Sequence, residues 1–175
     1  MSELAPRDAT EADLDVIRAI YNHYVATSTC TFQLEADTAD DTKRWFRERD
    51  PSVHPVIVTE REGVVIGWGS LHHHKTRRGY RFTVENSVYV DHHHHGGGVG
   101  SALLVELVAR ARAAGHHSIL AGVETAQVAS LRLHQRHGFV RVSHLREVGY
   151  KFERWLDVVY LQLMLQDAPT PPPAP

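Results

Sequence analysis

The chain has 175 residues, with 19 Lys and Arg against 21 Asp and Glu and a formal net charge of -2 when histidine is neutral. At 42% hydrophobic and 23% charged residues it has the composition of one globular domain, long enough to bury roughly 68–70% of its unfolded surface. Plentiful apolar residues exclude disorder, the single cysteine Cys30 excludes a disulfide scaffold, and no apolar run approaches the ~18 residues of a membrane span. The near-neutral charge gives no support for nucleic-acid binding, the polar stretch Met1 to Thr10 does not read as a signal peptide, and a reducing cytoplasmic compartment is the expected setting. Histidine is the outlier: seven of the 14 stand in two runs, His72 to His74 and His92 to His95.

In chain order, a first helix is predicted from Glu11 to Ala26, opened by a capping-box pattern at Thr10 to Asp13, with Leu14, Ile17, Tyr21 and Tyr24 on one face. A second helix runs from about Thr38 to Arg49 and stops before Pro51. His54 to Glu60 and Val64 to Leu71 read as strands of a hairpin turned at Glu62-Gly63. Tyr80 to Val90 reads as one long strand. Regular alternation puts Tyr80, Phe82, Val84, Val88 and Val90 on one face, and Arg81, Thr83, Glu85, Ser87 and Tyr89 on the other. The glycine-rich turn His95 to Gly100 follows, then a helix from Ser101 to Ala114 closed by Gly115. A strand from His117 to Glu124, a helix from Gln127 to His137 closed by Gly138, and strands Phe139 to Glu147 and Leu156 to Leu165 complete the pattern. This is a mixed α/β or α+β layer fold without regular β-α-β-α alternation. Residues 1–166 read as one domain, and 167–175, where five of nine residues are proline, as a disordered or polyproline tail.

A strand, a glycine turn and a helix make an anion site, because the first helical amides lack intrahelical partners and the helix dipole adds positive charge there. The P-loop pattern fails, since Ser101-Ala102 stands where Lys-Ser/Thr is required, and the dinucleotide pattern G-x-G-x-x-G fails from either Gly96 or Gly98. On the glycines alone, a flexible turn that binds nothing is an equal reading. Glu85, on the polar face of a strand expected to be central, is a general-base candidate, because a partly dry cleft raises a carboxylate pKa. The alternative is a structural ion pair to Arg81 or another cation. His134 shares a helix face with Gln127, Ser130 and Leu131, where a packing role is the ordinary reading. Histidines adjacent in a strand point to opposite faces, so the histidine runs make a poor metal cage and no metal is expected.

The run Val88-Tyr89-Val90 followed by His95-Gly96-Gly97-Gly98-Val99-Gly100-Ser101 resembles the acetyl-CoA signature Gln/Arg-x-x-Gly-x-Gly/Ala of the GCN5-related N-acetyltransferases. Gly98 and Gly100 match; His95 stands where Gln or Arg is usual, and Gly97 where a basic residue is common. Ile20 to His23, Thr83 to Val90, Ser130 to Phe139 and Gly149 to Asp157 resemble the phosphinothricin and methionine-sulfone/sulfoximine acetyltransferases within that family. Gln127 departs from the usual Asn and Glu153 from a frequent Gly.

The resemblance implies a mostly antiparallel central sheet flanked by helices, with a splayed acetyl-CoA cleft. It implies that Val88, Tyr89, Val90, His95, Gly96, Gly97, Gly98, Val99, Gly100, Ser101, Gln127 and Ser130 bind acetyl-CoA. Glu85 becomes the base, and His134 assists it or gives a proton to the leaving thiolate. The substrate implied is the α-amine of a small amino acid or analogue, acetylated by direct attack in a ternary complex. Phe32 is expected to wall its pocket or to be core, and Lys75, Arg81 and Thr83 to bind it, with Arg suited to a planar carboxylate. Arg77 and Arg78 read as solvated, and Cys30 as an inert buried thiol. A homodimer is implied. The rival readings are a protein N-terminal or polyamine acetyltransferase, and a histidine-rich metal-binding or pH-sensing module without catalysis.

Overall fold

The computed structural model describes residues 4–165, so the proline-rich tail lies outside the described residues. The elements are β1 (Arg7–Asp8), α1 (Leu14–Thr27), α2 (Ala39–Arg47), β2 (Val56–Arg61), β3 (Val64–His73), β4 (Thr83–Val90), α3 (Val99–Ala113), β5 (Ser118–Glu124), α4 (Val128–Arg136), β6 (Val140–Lys151) and β7 (Arg154–Met164). They form one seven-stranded sheet in the order β1-β2-β3-β4-β5-β7-β6. Every neighbouring pair is antiparallel except β4 and β5. This is the mixed, mostly antiparallel sheet that the sequence implied.

Alternation along the strands feeds two cores. Ile57, Ile66, Leu71, Val84 and Ile119 pack with Leu103, Leu104 and Leu107 of α3 on one side. Val56, Val58 and Trp68 pack with Leu14, Ile17 and Ile20 of α1 on the other. Helix α3 lies unusually close to β3 because that strand presents glycine where they cross. A Cβ at Gly67 would stand 2.9 Å from Val99 Cγ1, and one at Gly69 3.0 Å from Leu107 Cδ1.

The helix starts follow local chemistry. Asp13 accepts from the Thr10 backbone at 2.7 Å, completing the predicted capping box, and is held by Arg7 at 2.8 Å. At α2, Thr38 and Asp41 make a second box. Three sequence expectations need correction. The strand predicted from Tyr80 begins at Thr83, because Arg78–Tyr80 form a 3-10 turn that Arg81 closes. The final hairpin is longer than expected: β6 runs to Lys151 and turns on Phe152 and Glu153, both at positive φ (50° and 59°), as two-residue hairpins require. The two-residue strand β1 is too short to leave a periodic signal.

Candidate active site

β4 and β5 pair only over Thr83–Glu85 and Ser118–Leu120. Beyond that, β4 continues beside β3 to Val90 and β5 beside β7 to Glu124, so the two strands diverge. A cleft of about 220 Å³ opens between them, lined by Asn86 to Val90, Ala121 to Glu124, His95, Gln127, Ser130 and His134. An unpaired strand edge inside a cleft offers backbone donors and acceptors to an extended ligand.

The glycine turn adjoins this cleft. Gly96 and Gly98 have φ of 79° and 81°, a region costly for L side chains, and Gly98 is the N-cap of α3. Gly100 sits over Val88, Val90 and Leu133, where an added Cβ would meet Leu133 at 3.3 Å. The first turn of α3 therefore presses on the open half of β4, with its free amides at the mouth of the cleft. Tyr24 fixes the approach: its hydroxyl donates to the Val90 carbonyl at 2.5 Å and receives His95 Nε2 at 2.7 Å. Ser101 Oγ is bonded to His137 Nε2 at 2.7 Å. The cation missing from position 97 is partly replaced: the Arg61 guanidinium, from the end of β2, lies 3.1 Å from where a Gly97 Cβ would stand.

On the opposite face of β4, Glu85 is paired with histidines of β3 and the segment after it. His74 Nδ1 lies 2.5 Å from Oε1, and His72 Nε2 3.9 Å from Oε2. The partner is thus not Arg81. Burial, with Arg49 and the neighbouring histidines, pushes His72 down to about 4, so it is a neutral ring at physiological pH. His72 also lines a second, larger cavity of about 680 Å³ under α1 and α2. Ser87 and Tyr89 line both cavities, so β4 is the wall they share.

Several predicted substrate residues lie elsewhere. Arg81 has left the strand; it is exposed, over the Phe82 ring at 4.4 Å. Lys75 is exposed over the Tyr80 ring at 5.0 Å. Thr83 bonds Ser118 across the paired half at 3.2 Å. Phe32 packs on Gly149, where any Cβ would stand 2.2 Å from its ring. Three arginines line the larger cavity; Arg18 pairs with Asp15 and Arg44 with Asp41, which leaves Arg49, a residue the sequence did not single out. It lies over the Trp45 ring at 4.4 Å and donates to the Leu71 carbonyl at 2.6 Å. Its Nε is buried without a partner, and burial lowers it to about 10. Among the described residues no carboxylate pairs with it. The signal was weak, an arginine at a helix end before a proline.

His134 is buried, and both ring nitrogens are committed. Nδ1 donates to the Ser130 carbonyl at 2.8 Å, so Nε2 is the acceptor and takes Asn86 Nδ2 at 2.9 Å. Burial lowers its pKa further. In this arrangement the neutral ring carries its hydrogen on Nδ1, and Nε2 holds the Asn86 amide. Asn86 Oδ1, in turn, is buried with no partner. Asn86 was legible as the one polar residue on the otherwise apolar face of β4. Gln127 caps α4 and spends its amide on Thr29 at 3.0 Å, while Thr29 donates to Glu124 at 2.6 Å. Burial pushes the Glu124 carboxyl up, but bonds from Thr29, the Ala126 amide, Gln127 and Thr125 outweigh it and leave it low. Lys151, buried at the end of β6, donates to the carbonyls of Ser28 and Thr31 and so holds the segment that carries Cys30 to the cleft. Cys30 is half-buried, with its thiol pushed up by burial.

The second histidine run is not in a strand, contrary to the premise used against metal binding. His92–His94 form a 3-10 turn capped by Asp91, whose Oδ1 accepts from the His93 amide at 2.8 Å.

The chain belongs to the acetyltransferase (GNAT) family, whose model matches residues 17–139. It is 41% identical over 165 residues to the L-amino acid N-acyltransferase MnaT of Escherichia coli, covering 94% of this chain and 96% of that one. It is 37% identical to the phosphinothricin N-acetyltransferase of Alcaligenes faecalis over 94% of this chain and 84% of the relative. The solved yncA acetyltransferase of Salmonella typhimurium, with its cofactor acetyl-CoA, superposes with a TM-score of 0.93 at 37% identity, covering 98% of this chain and 99% of that one. The phosphinothricin acetyltransferase of Sinorhizobium meliloti, in complex with acetyl-CoA, gives 0.93 at 32% identity over 98% and 93%.

Proposed function

We propose that the protein transfers the acetyl group of acetyl-CoA to the α-amine of a small amino acid or analogue of the phosphinothricin and methionine sulfoximine type. The observation that carries this reading is the common wall: β4 presents its unpaired edge to the 220 Å³ cleft and, through Ser87 and Tyr89, closes the larger cavity as well. The pyrophosphate would lie on the amides from His95 to Ser101, and the pantetheine arm along Val88 to Val90. The amine would enter from the larger cavity.

Glu85 is the base in this reading. His74 occupies Oε1, leaving Oε2 facing His72 across 3.9 Å, a gap that suits one bridging water. The ammonium loses a proton through that water to Glu85. The freed nitrogen attacks the thioester carbonyl carbon, the C–S bond breaks and CoA leaves as thiolate, and the nitrogen's second proton passes to that thiolate or to solvent as the amide forms. Arg49, unpaired in the cavity wall, takes the substrate carboxylate, a role sequence reading gave to Lys75 and Arg81.

The protein is a homodimer in this reading. The outer strand β6 exposes Val140, Val142, Val148 and Tyr150, and β7 adds Trp155, large apolar side chains that a second copy could cover. Sedimentation at micromolar concentration should give twice the chain mass.

The test is release of CoA thiol from acetyl-CoA with phosphinothricin, methionine sulfoximine, methionine sulfone, common amino acids and spermidine as acceptors. Turnover on an amino-acid analogue that survives chelator and is lost in Glu85→Gln supports the reading. Spermidine is included because Glu35, Asp37, Asp41 and Glu48 also line the larger cavity, and a polyamine acetyltransferase needs acidic walls. Turnover on spermidine alone would replace the amino-acid reading.

A further inference from the structure

Among the described residues, one group of three or more His, Cys, Asp or Glu side chains has all its ligand atoms within 4.8 Å of one another: Asp91, His92 and His93. The group stands between β4 and the glycine turn, outside the chemistry proposed for Glu85. From these residues we propose a site for a divalent transition cation of the zinc or nickel type, which adds positive charge at the mouth of the phosphate-binding turn.

The donor set is one carboxylate and two imidazoles. It suits borderline cations and disfavours calcium or magnesium, which take oxygen ligands. Three protein ligands leave positions for water, as the exposure of His92 and His93 requires. The surroundings hold the ligands in place. His23 of α1 stacks on His92 at 3.8 Å with the rings 7° apart. His94 Nδ1 lies 3.3 Å from Asp91 Oδ1, and the His93 backbone amide donates to the same oxygen, so the carboxylate is oriented by a neighbouring ring and by the backbone. The 3-10 turn makes the group possible, because it folds successive side chains together where a strand would separate them.

The location gives the charge a use. The glycine turn starts two residues after His93 and has His95 and Gly97 at positions where basic residues are common; the Arg61 guanidinium reaches it from β2. A doubly charged ion on Asp91 turns a local charge of -1 into +1 beside the phosphates of a bound acetyl-CoA. The proposal rests on the acetyl-CoA reading for this use, but not for the existence of the site.

The experiment titrates ZnCl₂ into tag-free, chelator-stripped protein at pH 7.5 by calorimetry. One zinc per chain is expected, with affinity at least ~10–100-fold weaker in His92→Ala/His93→Ala, as for lost metal contacts generally. His73→Ala, in the other histidine run, should bind as wild type. Acetyl-CoA is then titrated with and without saturating zinc. Its affinity should rise several-fold in the wild type and stay unchanged in the double variant. Acetyl-pantetheine, which lacks the phosphates, should show no zinc effect. The proposal is overturned by absence of stoichiometric binding, by a double variant that binds zinc equally well, or by acetyl-CoA affinity that ignores zinc. If acetyl-CoA does not bind even without zinc, the proposed function falls and the service to the turn with it, while the zinc isotherm still decides whether the site exists.

Discussion

The two halves of β4 have the same backbone and opposite fates. Val84 and Glu85 are paired on both sides, with β3 and β5, and Val84 is fully buried. Asn86 to Val90 is paired on one side only, and its other edge looks into a cleft. The first half is ordinary sheet interior and contributes stability. The second leaves backbone groups unsatisfied, which native interiors rarely tolerate without a partner. The lesson is that the site is made by withholding a strand from its neighbour, with Glu85 at the last paired position.

Predictions that separate stability from chemistry sharpen this contrast. The largest effect is expected for Glu85→Gln, which should lower kcat by about 10²–10⁴-fold with little change in melting temperature. A loss of folding instead would make Glu85 a structural partner of His74. Ile119→Ala, in the doubly paired part of β5, should cost about 2–5 kcal/mol in denaturant unfolding. KM for acetyl-CoA should stay nearly constant in the folded fraction. Arg49→Gln should raise KM for an amino-acid substrate by roughly 10–100-fold, the worth of a charge-assisted hydrogen bond, and leave KM for acetyl-CoA unchanged.

Acid should weaken the fold. His54 is lowered to about 4 by burial and by the neighbouring His73, His116 and Arg49. His134 is also lowered, by burial. Such rings stay neutral in the folded state while the unfolded chain takes up protons from about pH 6.5 downward. Stability therefore rises with pH through that window and falls as pH drops from 7 to 5, by roughly 1–2 kcal/mol for His54. A melting temperature flat between pH 7 and 5 would contradict this. The smallest effect is expected for Arg61→Ala, an exposed phosphate contact worth about 0.2–1 kcal/mol, seen as an acetyl-CoA Kd raised up to about five-fold.

Much of this was legible in the sequence. The glycine turn between strand and helix, and the alternation that set Glu85 and Tyr89 opposite Val84 and Val88, carried the cofactor site because both depend on local backbone rules. The substrate side was less legible. His72 meets Glu85 only through sheet pairing, and Arg49 reaches the cavity that His72 lines only through the docking of α2; no local pattern encodes either. Arg81 was misplaced because alternation was extended through a segment that turns at Gly79. The sequence pattern placed His134 on a helix face with Ser130, but not its bond to Asn86, a contact 48 residues away along the chain.

The most direct test of the divided strand is backbone hydrogen exchange with and without acetyl-CoA. The account predicts new protection confined to Asn86–Val90 and to the turn from His95 to Ser101, with Thr83–Glu85 already protected in the free protein. Tight binding that leaves those segments unchanged, or that protects only the larger cavity under α1 and α2, would contradict it.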